Sequence, residues 1–130
     1  MLQQRIEAIA DKLSQSDYEI VCLQEVWIYE SYEFIRNKTR KRFPYARFYS
    51  SGIFGSGLVI LSRYPIVEVN FYKYRLNGRP IKVLHGDWYS GKGVASSVVD
   101  HPVSGLIEIF NTHVNTCRLW TRRGIGGEAG

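Results

Sequence analysis

The stretch from Tyr18 to Trp27, YEIVCLQEVW, constrains this chain more than any other. Its apolar run, Ile20-Val21-Cys22-Leu23, stops abruptly at Gln24-Glu25 before hydrophobic residues resume. A run of that length and purity predicts a strand buried on both faces. A carboxylate placed where such a strand ends sits at the rim of a sheet, where loops of open α/β folds build their sites. Glu25 is therefore a candidate metal ligand. A hard divalent cation such as magnesium needs oxygen ligands and often takes only one or two protein carboxylates, with water and substrate phosphate completing its shell. Spacing alone, however, favours the plainer reading of a Glu that ends a strand in solvent.

Elements around this stretch follow from periodicity. Leu2, Ile6, Ile9, Ala10 and Leu13 recur at helical spacing with polar residues opposite, so a helix opens the chain. An α/β domain that begins inside a helix is expected to have lost an element upstream. A turn over 14–17 and a strand over 19–23 complete an αβ unit. A second helix is predicted from Ser31 to Arg42, with Tyr32, Phe34 and Ile35 as its apolar contacts and Pro44 ending it. Strands are predicted over 45–50, 58–61, 66–74, 81–84, 93–99 and 106–111. Asn77-Gly78 and Ser104-Gly105 mark hairpins. The expected fold class is α/β: two early helices on a mixed, mostly antiparallel sheet. The domain is expected to span 1–115, and the glycine- and arginine-rich segment 116–130 to be a loosely ordered tail.

Composition narrows the class of protein. At 130 residues, with 45% hydrophobic and 22% charged residues, the chain suits one modest globular domain. Two cysteines, Cys22 and Cys117, make neither a disulfide framework nor a zinc motif. With no secretory signal and no apolar run near membrane-spanning length, a soluble intracellular polypeptide is expected. The net charge of +5 is concentrated between Arg36 and Arg47, where six basic residues meet no acid. Such a run is either a solvated helix end or a surface that attracts lipid or nucleic-acid phosphate.

Three further stretches bear polar groups suited to chemistry. His113 ends a strand in Asn111-Thr112-His113, where it can bond a phosphoryl oxygen or move a proton. An ordinary edge histidine fits as well. The segment His85 to Gly93, HGDWYSGKG, carries Asp87 and Lys92 between two strands; its simplest reading is a surface ion pair contributing at most ~1 kcal/mol. Gly52 to Gly57 lacks the Gly-Lys-Ser/Thr ending of a phosphate loop and leads into a strand. Nucleotide binding is rejected there in favour of close approach between strands.

Taken in order, LQEVW (23–27), SGIFGSGLVILSRYPI (51–66), LNGRP (76–80), HGDWYSGKGV (85–94) and NTH (111–113) resemble the endonuclease/exonuclease/phosphatase superfamily, whose fold is deoxyribonuclease-I-like. Within it the chain looks most like the neutral, magnesium-dependent sphingomyelinases and the fungal enzymes acting on inositol phosphosphingolipids. The resemblance implies the N-terminal half of a four-layer α/β sandwich, with Glu25 as the magnesium ligand. It also implies that His113 contacts the scissile phosphate and that Asp87 and Lys92 shape the substrate entrance. The implied partner is a phosphosphingolipid at a membrane surface; the basic run separately offers contact with anionic lipid through Arg36, Lys38, Arg40, Lys41 and Arg42. Nucleic acid is not favoured, and full-length relatives are expected to be membrane-associated.

Departures from the family pattern are as informative. The family's first strand, with its Asn-x-Trp-Gly-like segment, is missing from this sequence. So are the Gly-Asp-x-Asn motif and the closing Asp-His pair that supplies the general base; neither His85 nor His101 is expected to sit in an Asp-His pair. A fragment with negligible activity of its own is therefore expected, with a sheet face left uncovered. The alternatives are a nuclease or inositol phosphatase of the same superfamily, or a noncatalytic fragment that binds membranes or a partner.

Overall fold

The computed structural model describes residues 1–49, 57–73 and 93–113. The predicted strand over 81–84, the Asn77-Gly78 turn, Asp87, Lys92 and the 116–130 segment lie outside the described residues. Within them the chain runs α1 (Leu2–Ser14), β1 (Ile20–Leu23), α2 (Tyr29–Thr39), β2 (Tyr45–Tyr49), β3 (Leu58–Ser62), β4 (Ile66–Lys73), β5 (Gly93–His101) and β6 (Gly105–Thr112). The strands form two three-stranded sheets, β1-β3-β2 and β4-β5-β6, and every pairing is antiparallel.

Strand β3 organises the packing. All five of its residues are buried, and alternation along the strand sends them to opposite faces. Val59 and Leu61 meet Ile6, Ala10 and Leu13 of α1, Tyr32 and Ile35 of α2, and Phe43. Leu58 and Ile60 meet Tyr49 together with Ala95 and Val99 of β5. The described layers are therefore helices, first sheet and second sheet.

Strand β1 follows the same alternation, with Val21 and Leu23 toward the helices and Ile20 and Cys22 toward the second sheet. Both faces are apolar, as its sequence requires, yet the strand is half-buried where full burial was expected. It pairs on one side only, with β3, so its other edge is open among the described residues. The second helix starts two residues earlier than predicted and ends at Thr39, before Pro44 can act. Its end is closed by Arg42 and Phe43 amides donating to the Thr39 carbonyl and by the Thr39 hydroxyl donating to Ile35 O. Among the described residues no helix is long and apolar enough to cross a membrane.

Candidate active site

Where β1 ends, the backbone turns sharply. Glu25 adopts φ 61°, a left-handed conformation that costs an L-residue about 1–2 kcal/mol. Just beyond it, the Val26 amide donates to Gly57 O at 2.9 Å. Gly57 is itself left-handed at φ 67°, and a Cβ there would lie 3.0 Å from the Trp27 ring. The expected close approach at the glycine segment is thus real at Gly57, although its neighbour is an indole ring and not a strand backbone. Gly52 and Gly55 lie outside the described residues.

This turn carries the Glu25 carboxylate to the end of β6, where its Oε1 lies 3.5 Å from His113 Nε2. Glu25 is 63% exposed and His113 27%. Two residues chosen from distant parts of the sequence thus meet at one rim, with an anionic oxygen open to solvent and an imidazole more sheltered beside it. Among the described residues no group of three or more His, Cys, Asp or Glu could hold a metal. The donor set is one exposed carboxylate, which fits a hard cation that keeps water and substrate oxygens and does not fit a closed protein cage. A groove of about 320 Å³ adjoins Glu25 on the helix side, lined by Ile6 and Ile9 of α1, Leu23, Trp27 and Ile28 among others.

Sequence reading missed the side chain that joins these parts. Asn111 is only 4% exposed. Its Nδ2 donates to Leu23 O and Val59 O, each at 3.2 Å, and its Oδ1 accepts from Gln24 Nε2 at 2.8 Å. One signal was available: Ile107, Ile109 and Asn111 alternate on β6, and a carboxamide interrupts an otherwise apolar series.

His101 requires a correction. It directly follows Asp100, so an Asp-His dipeptide is present after all. However, His101 pairs with Gly105 at the hairpin end of β5-β6, roughly 25 Å along the strands from Thr112. Its Nδ1 accepts from the Val103 and Ser104 amides at 3.2 and 3.1 Å, which leaves Nε2 as the N–H facing Glu19 at 3.4 Å. The Tyr64 hydroxyl donates to Glu19 at 2.7 Å and holds that carboxyl below its ordinary range, with His101 adding to the effect. This cluster fastens the far end of the sheets and stands apart from the Glu25–His113 rim.

Part of the basic run is committed to the fold. Arg42 Nη2 reaches Asp17 at 2.6 Å and its Nε donates to Ser16 O, while Lys38 meets Asp11 at 3.1 Å. Arg36, Arg40, Lys41 and Arg47 are exposed.

The described residues thus form a two-sheet α/β fold with a carboxylate and an imidazole at one rim. The sequence profile of the Endonuclease/Exonuclease/phosphatase family matches residues 2–126, and the chain belongs to that family. It is 45% identical to the inositol phosphosphingolipids phospholipase C of Schizosaccharomyces pombe over 86% of this chain and 26% of that protein. It is 36% identical to human sphingomyelin phosphodiesterase 2 over 85% of this chain and 26% of that protein. The chain thus spans about a quarter of the length of these curated relatives. Sphingomyelinase C from Streptomyces griseocarneus superposes with TM-score 0.65 at 19% identity, covering 86% of this chain and 43% of that structure. A Staphylococcus aureus beta toxin variant with bound magnesium ions superposes with TM-score 0.64 at 20% identity, covering 94% and 46%. At those identities the two structures establish the shared fold.

Proposed function

We propose that this chain carries part of the active site of a magnesium-dependent phosphodiesterase that cleaves phosphosphingolipids into ceramide and a phospho-head-group. The observation that supports it is the 3.5 Å approach of Glu25 Oε1 to His113 Nε2 at the sheet rim. Glu25 would hold the cation, which when bound supplies Lewis-acid polarisation of the phosphodiester. His113 would donate a hydrogen bond to a phosphoryl oxygen as negative charge builds there. Asp87 and Lys92 are assigned to the substrate entrance on family pattern alone.

Among the described residues no second histidine stands at this rim to serve as the general base, since His101 lies at the opposite end of the hairpin. This chain alone is therefore expected to hydrolyse sphingomyelin no faster than buffer, because losing one member of a catalytic unit removes most of the rate. In an enzyme carrying the complete family domain, Glu25→Gln lowers magnesium-dependent turnover by at least about a hundredfold. Turnover retained by that variant sinks the ligand assignment. Parallel assays on DNA and on inositol phosphates separate this reading from its superfamily alternatives.

Exposure of Arg36, Arg40 and Lys41 favours a membrane-facing role for the α2 end, with each cation near an anionic surface contributing about 1 kcal/mol. Lys38 and Arg42, already paired with acids, contribute less. Flotation with anionic vesicles that weakens with salt is the expected result; flotation indifferent to salt and lipid charge rejects it.

A further inference from the structure

We infer that Asn111 is the positioning residue that sets Glu25 against His113. The inference rests on the functional reading above, but its geometry stands independently. Asn111 lies on β6 and His113 is the residue just past its end, two positions on, and the His113 ring meets Glu25 of the first sheet's rim. From β6 the Asn111 carboxamide reaches across the gap between sheets. It donates to the carbonyl of Leu23, the last residue of β1, and to Val59 O of β3. It also accepts from the side chain of Gln24, the residue preceding Glu25. Three hydrogen bonds from one buried side chain thus pin the strand end and the residue after it.

The need for such a clamp is visible in the backbone. Glu25 leaves β1 in a left-handed conformation, which L-residues adopt only where the surroundings enforce it. Val26 is held by Gly57 on the far side of Glu25. Gln24 on the near side is held by Asn111. Because His113 directly follows the end of β6, losing the Asn111 tie frees the Leu23–Gln24 strand end from the segment that leads into His113. The open edge of β1 makes this tie more consequential, since no described strand supports that edge.

The test uses isotope-labelled full chain and two variants. Asn111→Leu matches the carboxamide in size and removes all three hydrogen bonds. Asn111→Asp keeps an acceptor for Gln24 and loses the Nδ2 donor. In the wild-type chain, nuclear Overhauser contacts between the Glu25 side chain and the His113 ring are expected, as are carbon shifts of a left-handed Glu25. Both signatures are expected to vanish in a folded Asn111→Leu chain and to weaken in Asn111→Asp, while β5–β6 cross-strand contacts persist. A folded variant that keeps the Glu25–His113 contacts overturns the inference. If both variants instead unfold throughout, Asn111 is a core residue of general stability and the positioning role falls. Titration with manganese tests the functional reading separately. Failure to broaden Glu25 signals in the wild-type chain rejects the metal assignment and leaves the positioning result untouched.

Discussion

Tyr49 links the two sheets through a buried hydroxyl. Its ring lies in the inter-sheet core, and its oxygen bonds Ser97 Oγ and lies 3.4 Å from Ser96 O on β5. Burial pushes its phenol up to about 12 from an ordinary 10, since the folded environment penalises the phenolate. Between those values the unfolded chain has released a proton that the folded chain keeps, so stability falls as pH rises. The contribution is intact below pH about 10 and is lost on the way to about 12. Tyr49→Phe is expected to cost about 1–2 kcal/mol near neutrality, through loss of the buried hydroxyl's bonds to Ser97 Oγ and Ser96 O. It should also make the alkaline decline shallower than that of the parent chain. Urea melts at pH 8 and pH 11 check both; equal slopes with pH would remove Tyr49 as the source.

At the scale of elements, the turn from β1 into α2 depends on Gly57. Replacing it with Ala puts a Cβ 3.0 Å from the Trp27 ring and forces a left-handed alanine. A loss of about 1–3 kcal/mol is expected, with altered Trp27 fluorescence and unchanged helical circular dichroism; a silent substitution would show that the indole moves freely. The elements themselves were legible because periodicity is local. Ile6, Ala10 and Leu13 announce α1 and are buried, while Leu2 and Ile9 share its spacing but line an open groove. The rim carboxylate was legible from the apolar run that ends before it. Its partner His113 came from another strand end, and only the family pattern joined them. The interrupted alternation at Asn111 hinted at a buried carboxamide, but its role was not legible, because that role lies in carbonyls of two strands more than 50 positions away. Nor could the one-sided pairing of β1 among the described residues be read, since an apolar sequence reports what its faces meet and says nothing of its backbone partners.

For the molecule as a whole, the layer order decides which surface is at risk. The second sheet turns Ala95, Ser97 and Val99 inward, so its other face is outermost among the described residues. That face carries Leu106 at 69%, Phe110 at 61% and Tyr72 at 57% exposure, interspersed with Glu68, Asn70 and Glu108. Hydrogen bonds from Ser96 to Glu108 at 2.6 Å and from Asn70 to Glu68 at 2.8 Å keep part of it polar. The apolar side chains nevertheless form a surface of the kind that drives association. Self-association that grows with concentration is therefore expected. Leu106→Lys combined with Phe110→Lys places two cations beside Glu108 and should shift the sedimentation profile toward monomer. Because both sites are exposed, the double variant should melt within about 1 kcal/mol of the parent. If it associates as strongly as the parent, this face is not the route. The edge of β1 that no described strand covers then becomes the surface through which the chains pair.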